Sequence, residues 1–167
     1  MEEARVREGV PLTFNGPLEA GIRAVSILGY AHPTAFDLQR LVAFDYLLIH
    51  TGDIGGPDSL HPEVRLQSAA LLVRRKLIGQ SLLLMMTRDL VRREMGPQGI
   101  LYGAGENAAP FLASLESPYL TSLKQRAAWL VKHLGSLTDI EFRTTMRRFF
   151  DGWVEEFQAV EQSLGAE

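Results

Sequence analysis

Apolar residues recur every three or four positions through most of this chain, and once the rhythm breaks. Leu71, Leu72, Ile78, Leu82, Met85 and Met86 share one helical face between about residues 71 and 87. From Leu90 the period changes. Leu90-Val91 runs into Arg92-Arg93 and Met95, Gly96-Pro97-Gln98-Gly99 makes a tight turn, and Ile100, Leu101 and Tyr102 return. A helix followed at once by a hairpin is one half of a winged helix-turn-helix. The helix is then the third of its module and the hairpin its wing.

The flanking segments complete a mainly α pattern. Asn15-Gly16-Pro17 opens a helix with a buried face of Leu18, Ile22, Val25 and Leu28, and Tyr30-Ala31-His32-Pro33 ends it. Thr34, with Asp37 three residues on, predicts the cap of a second helix, which buries Leu38, Leu41, Val42, Leu48 and Ile49. Asp45 falls on that same face, where a place at the rim or an arginine partner is a better reading than catalysis. After the hairpin, Ala108–Leu115 is a short helix. Ser117-Pro118 opens a longer one that ends at Gly135, as a C′ residue. Thr138 and Glu141 form a capping box before the strongest stripe of all: Phe142, Met146, Phe149, Phe150, Trp153, Phe157, Val160 and Leu164. The expected organisation is a winged-helix domain over residues 1–104 with a small β-hairpin wing, and a C-terminal helical extension, 105–167, packed on it.

Composition narrows the classes. The chain has 167 residues, 46% hydrophobic and 22% charged, enough to bury a core. It has no cysteine, which excludes a disulfide scaffold and a thiol nucleophile and suits a reducing cytoplasm. No apolar run reaches membrane-spanning length, and the charged start MEEARVREGV predicts no secretion. The formal net charge is −3, so contact with nucleic acid is expected to be local or shared with partners.

Two stretches carry candidate chemistry. The loop HTGDIGGPDSLHPE, residues 50–63, holds His50, Asp53, Asp58, His61 and Glu63, all of ligand type. Its spacing matches no known metal motif, and Asp, Gly and Pro also build turns for backbone reasons. The loop is read as structural, with no catalytic residue, metal or cofactor assigned. No phosphate-cradling or nucleophile-elbow motif occurs. Arg74, Arg75, Lys76, Arg88, Arg92 and Arg93 cluster on the third helix and first wing strand, as contacts for DNA or for an acidic partner. Phe149, Phe150, Trp153 and Phe157 are the candidate partner interface, because large aromatics concentrate in interface cores.

The runs GPLEAGIRAVSIL, FDLQRLVAFDYLLIHTGDIGGPDSLHP, LLVRRKLIGQSLLLMMTRDLV with its hairpin, and AAPFLASLESPYLTSLKQRAAWLV resemble the middle component of bacterial ABC-three-component conflict systems, of which Lamassu-type anti-phage defence is an example. The resemblance covers about residues 12–134, and its most distinctive part is LLIHTGDIGGPDSLHP. It implies a non-enzymatic, cytoplasmic winged-helix adaptor between an SMC-like ABC ATPase and an effector such as a nuclease, meeting DNA mainly through the complex. It attaches no catalytic residues. The reading of the residues alone also leaves self-association open, with two alternatives: a free-standing winged-helix transcription regulator and a small metal-dependent enzyme using His50 and His61.

Overall fold

Pro17 opens α1 (Pro17–Ala31) at a position where its missing N–H costs nothing, behind an extended Gly16. The computed structural model describes residues 16–62 and 68–149, the side chains of 68–71 and 149 excepted. In chain order the remaining elements are α2 (Leu38–Ile49), a 3-10 turn (Thr51–Ile54), α3 (Ser68–Met86), β1 (Val91–Gly96), β2 (Gly99–Ala104), α4 (Ala108–Ser114), α5 (Pro118–Leu134) and α6 (Asp139–Phe149). The chain is therefore mainly helical, with a small two-stranded antiparallel sheet. Among the described residues, no helix is long and apolar enough to cross a membrane.

α1 is the hub. It packs against α2, α3, α4, α5 and β2, and from Ala20 to Leu28 every residue but Ile22 is buried. α2 is buried without a break from Leu41 to Ile49. Its cap is Asp37, not Thr34: the Asp37 carboxylate accepts a 2.8 Å hydrogen bond from Arg40 N. Residues before it are held extended by a bridge, in which Phe36 N donates to Tyr102 O at 2.9 Å and Tyr102 N to Phe36 O at 2.8 Å. A cap at Thr34 would give that bridge up.

The hairpin has the expected turn, with Gly96 paired to Gly99 and Val91 to Ala104. Gly99 sits at φ 132°, open to glycine and strained for other residues. The helix ahead of it is placed differently from its apolar pattern. Ile78, Leu82 and Met85 face the core, but Leu72 is on the far side and exposed, as is Leu18 on α1. At about 100° per residue, Leu72 lies well off the Ile78 face.

α5 joins the same core through Leu123, Ala127 and Leu130, packed on α1 and α2. Ser117 caps it, accepting from Leu120 N at 3.2 Å. Gly135 ends it in right-handed, not left-handed, conformation; a Cβ there would come 2.5 Å from Val131 O. Thr138 and Glu141 cap α6 reciprocally: Thr138 N donates to Glu141 Oε2 at 2.9 Å and Glu141 N to Thr138 Oγ1 at 3.2 Å. Phe142 then meets Phe44 edge-on, centroids 5.7 Å apart, and Met146 is fully buried.

Candidate functional site

A buried charge centre lies where α1, α2 and α3 meet. The Asp45 carboxylate accepts from Arg23 Nε at 2.6 Å and, through its other oxygen, from Arg74 Nη1. Asp45 and Arg23 are both 2% exposed. Burial opposes the Arg23 charge, but the Asp45 carboxylate more than offsets it, so the guanidinium's pKa stands above its ordinary value. Arg74 also covers the Tyr46 ring, its guanidinium carbon 5.4 Å from the centroid. Charges taken this far from water need mutual satisfaction. Among the described residues no buried side-chain polar atom lacks a hydrogen-bond partner.

Above this centre the 50–62 loop is wound tightly on itself. His50 is buried, stacked on Tyr46 at 4.3 Å, with Nδ1 2.9 Å from Tyr46 O and Nε2 3.0 Å from Pro62 O. Thr51 Oγ1 donates to Pro57 O at 2.7 Å, and Leu60 N and His61 N both donate to Ile49 O. Gly55, at φ 80°, makes the left-handed step the winding needs. Gly56 lies against Trp129 of α5, where a Cβ would come 2.6 Å from the ring. Arg126 Nε donates to Asp58 O at 2.9 Å. The loop therefore joins α2 to α5.

His61 closes the other side. Its Nε2 is 2.8 Å from the Tyr119 hydroxyl. Burial pushes the His61 imidazole below its ordinary pKa, and Arg23 and His50 act the same way. Burial likewise raises the Tyr119 phenol. Asp53 and Asp58 are exposed, and Glu63 lies outside the described residues. Among the described residues no three His, Asp or Glu side chains gather to hold a metal.

The basic residues named from the sequence divide into different settings. Arg74 points inward to Asp45. Arg92 is tied to Glu94 and donates to Ala104 O at 3.2 Å. Lys76, Arg88 and Arg93 are exposed, and Arg75 is half-buried. Of the candidate aromatics, Phe149 ends α6 with its side chain outside the description, and Phe150, Trp153 and Phe157 lie outside the described residues altogether.

Sequence reasoning flagged Asp45 but missed Arg23 and Tyr119. Arg23 had a signal: it is the lone charge in the apolar run AGIRAVSIL, a mark of a buried ion. Tyr119 had none, because its partner His61 is 58 positions away.

An open cleft of about 500 Å³ lies between the end of α1, the base of the hairpin and α4, edged by His32, Glu106 and Lys124. Its lysine is engaged, donating to Leu112 O at 2.9 Å.

Compared with known proteins, residues 13–156 match the family model described as ABC-three component (ABC-3C) system Middle Component 2. No curated protein and no solved structure matches the chain.

Proposed function

The chain belongs to the ABC-three component system Middle Component 2 family, and from that premise we propose that it is a non-enzymatic adaptor coupling an SMC-like ABC ATPase to an effector, a nuclease in the simplest case, in anti-phage or anti-plasmid defence. As a middle component it partners the other components of its system. We propose further that α1, α2, α3 and the β1–β2 hairpin form a winged-helix-like unit in the cytoplasm, reaching DNA mainly through the assembly.

The observation that carries this reading is the family match over most of the chain. The site supports it in a second way. The buried charged and imidazole groups are engaged in holding helices and loop together: Asp45 with two arginines, His50 between two carbonyls, His61 with Tyr119. Such an arrangement suits a rigid body that transmits a docking event. A rigid adaptor shifts an equilibrium only by binding one ATPase state better than another.

The outward side of α3 favours protein over DNA as its neighbour. A recognition helix offers hydrogen-bonding side chains to base edges. α3 instead exposes Leu72, Val73, Leu83 and Leu84 around Lys76.

The test is co-expression with the ATPase and effector of its system, with affinity capture on each in turn. The adaptor reading expects the ATPase and effector to co-purify only when this subunit is present. Direct capture of effector by ATPase, undiminished without it, would overturn the reading.

A further inference from the structure

Helix α3 is apolar on two sides, and the described residues cover only one. Ile78, Ser81, Leu82 and Met85 are at most 2% exposed, on the side packed against α1 and α2. On the opposite side Leu72, Val73, Leu83 and Leu84 are between 40% and 68% exposed. A helix buried along one stripe is ordinarily polar on the other, and exposed aliphatic patches mark interfaces.

The outward stripe is self-complementary. It begins with Leu72-Val73, passes Lys76 and then Gly79-Gln80, and ends with Leu83-Leu84. Read backwards it gives the same order: an aliphatic pair, a polar residue three or four positions on, then another, then an aliphatic pair. Two copies laid antiparallel about a two-fold axis therefore bring Leu72 to Leu84 of the second copy and Val73 to its Leu83. Lys76 then meets Gln80, an amide oxygen able to accept from the ammonium, so no like charges oppose. A Cβ at Gly79 would meet nothing within 4 Å, so the stripe is open at that point. A symmetric contact uses the same patch on both subunits, which this pattern satisfies.

We propose that α3 packs antiparallel on α3 of a second copy of this chain, with Leu72 against Leu84 and Lys76 against Gln80. This pairing involves α3 alone and does not depend on the adaptor role. One helix pair buries less than the roughly 800 Å² per partner of a standard interface. The free chain is accordingly a weak dimer, strengthened by whatever else holds two copies together.

The chain has no cysteine, so introduced thiols report cleanly. Lys76→Cys chains mixed with Gln80→Cys chains are expected to give a mixed covalent dimer under mild oxidation or with a short bis-maleimide. Leu72→Cys mixed with Val73→Cys is expected to give none, because antiparallel pairing puts these about 16 Å apart. Sedimentation of the unaltered chain over a concentration series should show reversible dimerisation, weakened at least tenfold by Leu83→Glu, with the circular dichroism spectrum unchanged. Three results would overturn the proposal: a monomer at hundreds of micromolar with no mixed product, cross-linking that ignores register, or dimerisation indifferent to Leu83→Glu. A monomer whose α3 thiols become reactive only when residues 150–167 are removed would also overturn it, by assigning the face to the chain's own last segment.

Discussion

Asp45 of α2 accepts a 2.6 Å hydrogen bond from Arg23 Nε of α1, with both side chains 2% exposed. Arg74 closes the same carboxylate from α3. One acid thus fastens two helices to α2, and its loss leaves two guanidiniums without their partner. Asp45→Ala is expected to cost roughly 3–5 kcal/mol, Arg23→Ala a similar amount, and Arg74→Ala less, since Arg74 keeps some water. Urea unfolding measures all three. A loss under about 1 kcal/mol for Asp45→Ala would mean the centre holds nothing together.

Gly105 lies at the base of the hairpin, with its N–H donating to Leu90 O at 3.0 Å. A Cβ there would strike the backbone of Asp89 and Leu90. Backbone atoms cannot swing aside as a side-chain end can, so Gly105→Ala is expected to cost on the order of 1–3 kcal/mol. Thermal unfolding checks it, with an unchanged melting temperature counting against the close approach.

The period of apolar residues was enough to find the helices, because α3 and α5 each bury one face on a common core, while α1 is buried nearly all round. The Gly-Pro turn at 96–99 and the Ser117 and Thr138 caps were legible for local reasons: each needs only residues within a few positions. What was not legible depended on distance. Asp37 displaced Thr34 as cap because Phe36 pairs with Tyr102, far along the chain. Arg74 looked like a surface contact because nothing local reveals the acid it meets, 29 positions back. Leu72 is different: the step of about 100° per residue alone sets it well off the Ile78 face, so its outward position was readable from the sequence.

His61 carries a pH dependence. Its folded pKa lies below the ordinary value of 6.5, so between the two values the unfolded chain binds more protons. Its contribution to stability is therefore complete above pH 6.5 and is lost as the pH falls through the folded value. His61→Gln should remove that dependence relative to the unaltered chain, a difference read from urea midpoints between pH 7.5 and 5. Parallel curves for the two proteins would contradict the assignment.

DNA binding by the isolated subunit is expected to be weak and without sequence preference, given its net charge of −3. Each phosphate contact made by Lys76, Arg88 or Arg93 should add about 0.9 to the slope of log affinity against log salt. Fluorescence anisotropy over a salt series gives both quantities. A nanomolar, sequence-specific complex at physiological salt would support a free-standing regulator instead.

The most direct measurement of the adaptor account is effector activity in a reconstituted system of ATPase, effector and this subunit, with ATP and a DNA trigger. The account predicts that cleavage by a nuclease effector responds to ATP and DNA only when the subunit is present, and that the subunit alone neither cuts DNA nor hydrolyses ATP. An effector fully responsive without the subunit, or a subunit with turnover of its own, would contradict it.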